Sequence, residues 1–561
     1  MSRRGILILA GVLFVQSIFV ALVFTPRPHT GGDNAGYISL AHSLLDRGSY
    51  LELWSPEEPA HTKYPPIFPA LLALAVLLGA KSWAALKLVP AFSTVLAVAF
   101  TFLWARDRQG TTLGVAVALL LGLSSSVVYY SQWILSDPTF LAVTVAALWA
   151  LQMSSRGGTS AEGKEGRSWW LGVGMALVVL AYFTRSAGLP LALATMLWLG
   201  FRRNRRGLVI FVIAFGLPAF LWWLRGYVLG GSEYASEFWF VDPYRPDLGT
   251  IGPGDLLSRV SENVVAYVTL IIPEGVVGGG SSFAPPLGIG LALLALVGWL
   301  RAAREEIGVP EIFLPLYLGL ILLWPPIWSG DRFALPLLPL VFFYSGVALL
   351  WLMGSVPTQL RRGTLLVLTL GLAVPAGLHW KELAQEADVC RELTRAGRPR
   401  ECLHPAQSEY LDLAEWSGAN LPEGVVVTTR KPRFFFLMSG VKALSIPLTY
   451  DTDESMDRIR AGGSRYLSLD LLDSVTEIYL YPVVLDHFGG FCGMVEFGPV
   501  GQVGTQLLGL KGGEGGGTPL QGAGQYFPPC PEEMYRGMPR EGSGEGGWDI
   551  PLLLRETGRP E

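Results

Sequence analysis

Residues 6–37, ILILAGVLFVQSIFVALVFTPRPHTGGDNAGY, place a carboxylate, Asp33, a few positions after a long apolar run. The run at residues 6–24 follows the basic start MSRR and has about the 20 apolar residues that a membrane span requires. No cleavage site of small residues follows it and more apolar runs come later, so we interpret it as an uncleaved first transmembrane helix. Asp33 is therefore expected where the chain leaves the membrane.

Composition extends this interpretation to most of the chain. The 561 residues are 51% hydrophobic and only 16% charged, whereas a soluble protein carries about a quarter charged residues. Further spans are predicted at residues 83–104, 111–130, 137–153, 169–183, 188–201, 208–227, 286–300, 312–328, 333–353 and 364–379. We predict a polytopic α-helical membrane protein with about 11 transmembrane helices. The net charge of −4 gives no indication of nucleic-acid binding.

The apolar segment 65–78 decides the orientation. It holds only about four helical turns, too few to cross a bilayer. If it does not cross, the basic segments FRRNRRG, RAAREE and TQLRRG lie on the same side as MSRR. Because cytoplasmic loops are rich in Lys and Arg, this arrangement is favoured, with the N-terminus inside and the protein in the cell inner (cytoplasmic) membrane. Segment 65–78 is then a juxtamembrane helix at the outer face.

Three domains follow from this layout. Residues 1–380 form a transmembrane domain, with a first outer loop at 26–81 and a second large, hydrophilic outer loop at 230–285. Residues 381–507 form an extracytoplasmic α/β domain, in which SEYLDLAEWSGANLPEG is typical of an amphipathic helix and VVVTT and SRYLSLDLL of strands. Residues 508–561 are rich in Gly and Pro and are predicted to be a flexible tail.

All four cysteines lie in the last third of the chain, at Cys390, Cys402, Cys492 and Cys530. Their spacings match no zinc-binding pattern. If this part of the chain is extracytoplasmic, one or two disulfides are expected, and buried free thiols fit the sequence equally well.

Two carboxylates lie at the starts of predicted helices on the outer face. Asp33 begins a helix indicated by apolar residues such as Ile38 and Ala41 at helical spacing. Asp137 precedes Pro138 at the head of a span, which is an ordinary helix start. By position alone, a helix cap without chemistry explains either carboxylate.

Three cations are predicted on the same face. Arg185 in AYFTRSAGLP and Arg332 in DRFALPLLPL interrupt apolar surroundings, where a charge is costly and usually has a partner or a function. Lys63 in HTKYPP either meets a lipid phosphate or only extends along the surface. Together with two carboxylates, these cations suit an anionic substrate and an acid/base step, and structural Asp–Arg ion pairs are the alternative.

Weaker candidates for contact with a sugar or an acceptor are Tyr37, His61, Tyr64 and Trp239. The aromatic residues Tyr234, Trp239 and Tyr244 in SEYASEFWFVDPYRP could stack on sugar rings. Aromatic residues at a membrane interface more often serve as anchors, so anchoring is the alternative.

The order of the motifs carries more information than any one of them. A basic N-terminus and one span lead to GGDNAGYISLAHSLLDRGSY, then YPPIFP, SDPTF, TRSAGLP and DRFALPLLP. This set, over about residues 1–380, resembles the GT-C superfamily of integral-membrane glycosyltransferases. It is most similar to bacterial enzymes related to protein O-mannosyltransferases and to the aminoarabinose transferase of lipid A. The resemblance implies a sugar donor linked to a polyprenyl-phosphate carrier and a glycan, lipid or protein acceptor at the outer face.

The resemblance also implies roles for the candidate residues. Asp33 would be the general base of an inverting direct displacement, and a second acidic position of the family matches Asp137. Lys63, Arg185 and Arg332 are the candidates for holding the donor phosphate. Asp137 would orient Lys63 or Arg332 or help to hold the acceptor. Whether burial raises the pKa of Asp33 or the cations lower it stays open.

No metal or other cofactor is expected besides the donor substrate. Some relatives have an acidic pair in the first outer loop, and here Asn34 follows Asp33. This difference argues against a metal site built from two carboxylates.

Two other classes of protein compete with this interpretation. A multi-span transporter or flippase of lipid-linked or anionic substrates explains the spans and the charges within them. It does not explain the long first outer loop or the large domain after the last span. A cell-wall polymerase or ligase of another membrane fold would also use lipid-linked sugars, but a different order of motifs is expected.

Overall fold

The computed structural model describes residues 3–155, 161–231, 237–328, 330–499, 503–511, 527–537 and 548–554. Helices make up most of the chain up to Arg395. In chain order, α1 to α15 are Arg3–Val23, Gly32–Asp46, Ile67–Leu77, Trp83–Gln109, Thr111–Leu123, Ser125–Tyr130, Ser136–Ser155, Ala161–Thr184, Leu189–Phe201, Arg205–Val228, Leu256–Val277, Ala284–Glu305, Val309–Leu323, Asp331–Leu352 and Thr358–Arg395.

Within these ranges, eight helices are long and apolar enough to cross a membrane, namely α1, α4, α7, α10, α11, α12, α14 and α15. The shorter apolar helices α5, α8, α9 and α13 accompany them. A helix occupies each run that the sequence predicted as a span. Large apolar side chains such as Phe14, Ile213 and Leu370 are exposed on α1, α10 and α15, which suits contact with lipid. The chain is a multi-pass α-helical membrane protein, as predicted.

The centre of the helical bundle is formed by α4, α5, α7 and α14. Phe102, Val117 and Phe343 are fully buried there. Close packing of α12 on α14 depends on Gly298, because a Cβ at this position would lie 1.9 Å from the carbonyl oxygen of Tyr344. A bundle packed in this way holds the ends of its helices, and therefore the loops between them, in fixed positions.

We call the end of the bundle that carries the segment between α1 and α4 the site face, and the other end the opposite face. The segment 230–285, predicted as a hydrophilic outer loop, contains the helix α11, which the sequence did not predict. Asn263 Nδ2 donates to the carbonyls of Leu322 (2.8 Å) and Trp324 (2.9 Å), at the end of α13. Ser124, at the end of α5, donates to the carbonyl of Gly275 (2.6 Å). Asn263 and Gly275 of α11 thus contact the site-face ends of α13 and α5. The apolar stretch of α11 is flanked by Glu262 and Glu274, which explains why the hydropathy of the sequence did not predict this helix.

The segment between α1 and α4 forms two helices, as predicted. The shorter one, α3, lies within the predicted segment 65–78 and buries Phe68 and Leu72. The longer one, α2, is buried on nearly all sides rather than on one face. It packs between α3 and the C-terminal domain. This burial fixes the helix that carries Asp33.

The C-terminal domain contains a five-stranded sheet with the order β2-β1-β3-β5-β4. Strand β1 is parallel to β2 and β3, and β5 is antiparallel to β3 and β4. The strands β1 to β5 are Val426–Thr429, Lys442–Ser445, Ser464–Leu469, Phe491–Phe497 and Thr505–Leu510. The helices α16 to α20 of this part are Pro405–Asn420, Pro432–Ser439, Thr452–Ala461, Tyr481–Asp486 and Pro551–Leu554. The predicted α/β character is confirmed, with α16, β1 and β3 at the predicted segments.

The end of the domain differs from the prediction. Strand β5 crosses the predicted boundary at residue 507, because its Leu507 and Leu508 are buried between β3 and β4. The described stretches 527–537 and 548–554 pack against the rest of the protein. Trp548 and Ile550 are buried, and the amide of Trp83 donates to the carbonyl of Trp548 (3.0 Å). Parts of the predicted flexible tail are therefore structural.

All four cysteines form disulfides, which resolves the two possibilities left open by the sequence. Cys390 on α15 pairs with Cys402 in the turn that follows, and Cys492 on β4 pairs with Cys530. The second pair ties the stretch 527–537 to the sheet. Both disulfides lie in the part of the chain that covers the site face.

The C-terminal domain and the first loop share one hydrophobic core. Ile38, Trp54 and Phe68 from the loop pack in the same cluster as Phe434 and Tyr410 from the domain. The backbone joins them as well, since the amide of Ala443 donates to the carbonyl of Trp54 (2.8 Å). The domain is therefore part of the structure that holds α2.

Candidate active site

A cavity of about 620 Å³ opens at the site face between the helical bundle and the first loop. Most of the charged residues singled out in the sequence line it. Its polar wall contains Asp33, Lys63, Tyr64, Arg185, Asp331 and Arg332. Its apolar wall contains Leu189, Leu320, Ile321, Trp324 and Phe333. A pocket of this kind, mostly apolar with a few convergent polar groups, is typical of a ligand-binding site.

Asp33 lies in the first turn of α2, but it is not a helix cap. Gly31 occupies the N-cap position and no side chain caps the helix. Instead, Asp33 Oδ1 accepts a hydrogen bond from the Tyr64 hydroxyl (2.7 Å), and Oδ2 accepts two from Arg332 (both 3.1 Å). About 36% of the Asp33 side chain is exposed, on the side of the cavity. The capping interpretation is therefore wrong, and the carboxylate is directed at the cavity.

The electrostatic surroundings of Asp33 decide whether its pKa is raised or lowered, which the sequence left open. Burial alone would raise the pKa of this carboxyl group. The charge of Arg332, the hydrogen bond from Tyr64 and the charge of Arg433 outweigh burial and hold the pKa of Asp33 well below its usual range. The neighbouring phenol shows the opposite effect, since burial and then the charge of Asp33 raise the pKa of Tyr37 to about 12. Asp33 is thus a carboxylate, and Tyr37 a neutral phenol, throughout the physiological range.

Behind Asp33, two arginines and a second carboxylate form one network. Arg332 Nη2 contacts Asp33 and also donates to Asp137 Oδ2 (3.2 Å). Arg185 pairs with the other oxygen of Asp137. Asp137 is 2% exposed, whereas Arg332 retains 29% exposure toward the cavity. Asp137 therefore orients Arg332 and Arg185 from behind, and it does not contact Lys63 as the sequence also allowed.

Lys63 lines the cavity at a distance from this network. Its Nζ donates to Glu237 Oε1 (2.5 Å) and lies 5.6 Å from the centre of the Trp328 ring. The ion pair joins the first loop to the segment after α10. Lys63 is consequently held at the cavity wall, which differs from a lysine extended along the membrane surface.

The weaker candidates divide into two groups. Tyr37 and Tyr64 line the cavity, and the Tyr37 hydroxyl bonds to Ser136 Oγ (2.9 Å). His61 is buried behind them, where Nδ1 meets Glu52 (2.7 Å) and Nε2 accepts from the amide of Tyr64 (2.9 Å). Because Nε2 accepts, the proton is on Nδ1, and the neutral ring holds the Tyr64 loop in place. His61 thus supports the site and does not contact its contents.

The aromatic residues of the segment after α10 also differ in whether they line the cavity. Tyr244 lines the cavity and Trp239 does not, although it is 40% exposed. Tyr234 lies outside the described residues. A contact between a sugar ring in this cavity and Trp239 stays a prediction without support from the lining, whereas Tyr244 is in position for such a contact.

The sequence did not point to three residues of the site. Glu237 holds Lys63, and Asp331 lines the cavity and accepts from Ser126 Oγ (2.9 Å) and the Tyr130 hydroxyl (2.8 Å). Arg433 of the C-terminal domain donates to the Tyr64 hydroxyl (2.8 Å). Asp331 directly precedes Arg332 and could have been found. The positions of Glu237 and Arg433 depend on long-range packing, which leaves no local signal.

The residues do not fit a divalent metal ion. Within the described ranges, no group of three or more His, Cys, Asp or Glu side chains could hold one. The carboxylates of Asp33 and Asp137 are both paired with Arg332, whose guanidinium lies between them. A cation in that space would be repelled by the guanidinium.

The multi-pass bundle with its long first loop and C-terminal mixed domain has the fold of solved membrane-protein structures, and this agrees with the fold that the motifs predicted. ArnT from Cupriavidus metallidurans bound to undecaprenyl phosphate aligns over 92% of this chain and 100% of its own, with 14% identity and a TM-score of 0.53. The Archaeoglobus fulgidus oligosaccharyltransferase in complex with zinc and sulfate aligns over 88% of this chain and 72% of its own, with 14% identity and a TM-score of 0.54. No protein-family model and no curated protein matches the sequence.

Proposed function

We propose that this protein transfers a sugar from a polyprenyl-phosphate-linked donor to an acceptor at the outer face of the cytoplasmic membrane. The observation that carries the proposal is the contact between Asp33 and Arg332 at one cavity wall, 3.1 Å apart. It brings a potential base and a phosphate-binding cation within reach of the same substrate. The solved structure of ArnT with undecaprenyl phosphate supports a carrier of this kind.

The donor phosphate would bind to the cations of the cavity. Arg332 offers a planar fork of donors, which matches phosphate oxygens, and Arg185 and Lys63 line the same wall. The Nε of Arg332 is buried and has no hydrogen-bond partner within the described residues, so this side chain has an unused donor. The isoprenoid tail would follow the apolar wall between α9 and α13.

The reaction would then be a single displacement with inversion. The oxygen of the acceptor hydroxyl attacks the anomeric carbon, the bond from this carbon to the phosphate oxygen breaks, and the phosphate leaves with the electron pair. Asp33 takes the proton of the hydroxyl group. When Arg332 turns toward the phosphate, Asp33 loses the strongest cation that lowers its pKa, so it becomes a better base. Arg332 and Arg185 stabilise the negative charge that develops on the leaving phosphate.

Two observations support an outer location of the site. The loops at the opposite face carry the Arg-rich segments, as expected for the cytoplasmic side. Both disulfides belong to the part of the chain over the site face, and disulfides persist outside the reducing cytoplasm.

The test is transfer by the purified protein. Polyprenyl-phosphate-linked sugars would be incubated with lipid, glycan and peptide acceptors, and products separated by mass spectrometry. We expect a glycosylated acceptor of inverted anomeric configuration and free polyprenyl phosphate. We also expect the rate to be unchanged by EDTA, because Arg332 pairs with both Asp33 and Asp137.

Two results would contradict the proposal. Movement of the lipid-linked substrate across proteoliposomes without any cleavage of the sugar–phosphate bond would identify a transporter or flippase. Full transfer by the Asp33→Asn variant would remove the assigned base.

A further inference from the structure

Arg433 belongs to the C-terminal domain, yet it is two hydrogen bonds away from Asp33. It lies in the first turn of α17 and donates to the Tyr64 hydroxyl (2.8 Å), which in turn donates to Asp33 Oδ1 (2.7 Å). A tyrosine hydroxyl has one proton, and a guanidinium cannot accept a hydrogen bond. Tyr64 must therefore accept from Arg433 and direct its only proton at Asp33.

The position of Arg433 is closely confined. Its guanidinium lies over the rings of Trp54 (4.9 Å) and Tyr64 (5.4 Å). On the other side it meets α2, since a Cβ at Gly36 would lie 3.2 Å from Arg433 Cδ. The next residues of α17, Phe434 and Phe435, are fully buried in the shared core. A side chain held in this way positions its hydrogen-bond partner firmly.

We propose that Arg433 is a positioning residue, which fixes Tyr64 as a donor to Asp33 and makes the geometry of the base depend on the docked C-terminal domain. This inference rests on the proposed function, in which Asp33 is the base. The contact between Tyr64 and Asp33 becomes more important during the reaction. Once Arg332 has turned toward the phosphate, Tyr64 still holds Asp33 Oδ1 among the described residues, and Oδ2 is left to take the proton.

Charge adds to this geometric effect. The charged and titratable groups around Asp33 are Tyr37 on the same helix, Tyr64 and Arg332 in direct contact, Arg433 behind Tyr64, and Asp137 and Arg185 behind Arg332. Arg433 is one of the cations that lower the pKa of Asp33. Its removal raises that pKa, so the acid limb of the rate profile should move to higher pH.

The experiment compares Arg433→Met with Lys442→Met in the full-length protein. Lys442 also reaches from the C-terminal domain into the first loop, where it donates to the carbonyl of Leu53 (2.5 Å) and pairs with Glu58 (2.5 Å). It contacts neither Tyr64 nor Asp33, so it is a matched control for the loss of an interdomain cation. We expect Arg433→Met to lower kcat about tenfold or more at a nearly unchanged KM, with an acid limb at higher pH. Lys442→Met should keep kcat within about twofold of the wild type.

Two further variants separate positioning from a general structural role. Tyr64→Phe should lower kcat as Arg433→Met does, and the double variant should be no worse than either single one, because both changes break the same relay. Arg433→Lys retains the charge and should recover part of kcat. If Arg433→Met and Lys442→Met lose the same activity with the same acid limb, the inference is overturned.

A spectroscopic measurement makes the result independent of catalysis. Difference infrared spectra of wild type and Asp33→Asn identify the carboxylate band of Asp33. The band should shift in Arg433→Met as it does in Tyr64→Phe, and it should stay in place in Lys442→Met. An unchanged band in Arg433→Met overturns the inference. If the band shifts in Arg433→Met but the wild type has no transferase activity, only the proposed function is contradicted.

Discussion

Two clusters of charged residues lie at opposite ends of the helical bundle, and they are built from the same types of residue. At the opposite face, Glu311 accepts from Arg108 (2.5 Å), the Tyr344 hydroxyl (2.7 Å) and the amide of Gly308 (2.9 Å). At the site face, Asp33 accepts from Arg332 and Tyr64. Each cluster is therefore a carboxylate that receives hydrogen bonds from an arginine and a tyrosine.

The two clusters differ in their exposure and in the hydrogen-bonding groups that they leave unused. Glu311 is 1% exposed and both of its oxygens are occupied by donors from the protein. Asp33 is 36% exposed and faces a cavity, and Arg332 beside it retains a donor without a partner in the described chain. A charge at membrane depth is therefore a weak sign of function by itself. Access to a cavity and spare hydrogen-bonding capacity distinguish the site from the structural ion pair.

The largest effect should come from removing the charge of Asp33. Asp33→Asn keeps the shape and the hydrogen bond from Tyr64, but it cannot take a proton from the acceptor. We expect kcat to fall about 10²- to 10⁴-fold with little change in Tm, measured as initial transfer rates on protein whose folding is checked by thermal melting. A large loss of Tm with a normal rate per folded molecule would make Asp33 equivalent to Glu311.

The matching change at the opposite face should affect stability instead. Glu311→Gln leaves Arg108 without its countercharge in a buried position, which costs about 3 kcal/mol. We expect a lower Tm and a transfer rate per folded molecule within about twofold of the wild type. A selective loss of kcat at unchanged Tm would mean that the opposite face takes part in the reaction.

Arg332→Lys tests the spare donor capacity and should have an intermediate effect. Lysine keeps the charge but loses the planar fork that matches phosphate oxygens, so the KM for the donor should rise about tenfold. Arg225→Lys is the control, because Arg225 is also at the site face but donates to the carbonyl of His61 (2.8 Å) away from the phosphate-binding wall. Equal KM values for the two variants would exclude Arg332 as the principal phosphate ligand.

The smallest effect concerns pH. The cations beside Asp33 hold its pKa below the usual range, so the carboxylate loses its charge only as the pH falls through that lowered value. An ordinary aspartate with a pKa of about 3.9 would halve the rate near pH 4. We expect no such acid limb in the profile of kcat/KM for the wild type. A limb near pH 4 in this profile would mean that Asp33 is less tightly paired in solution.

The sequence predicted the bundle well because long apolar runs and Arg-rich loops are local signals. It also brought Asp33, Asp137, Arg185 and Arg332 to one face, since each lies at the end of a predicted span. It did not predict α11, whose apolar stretch is bounded by glutamates, and it left a helix cap as the alternative role of Asp33. The partners of the charged residues could not be predicted, because Tyr64, Glu237 and Arg433 reach the site through contacts between distant parts of the chain.

The core shared by the first loop and the C-terminal domain has a consequence for biosynthesis. Arg433 is made 369 residues after the tyrosine that it contacts. During synthesis, the apolar side chains of α2 that pack on the C-terminal domain therefore stay uncovered until that domain has been made. We expect a chain that stops after α15 to be inactive in the transfer assay.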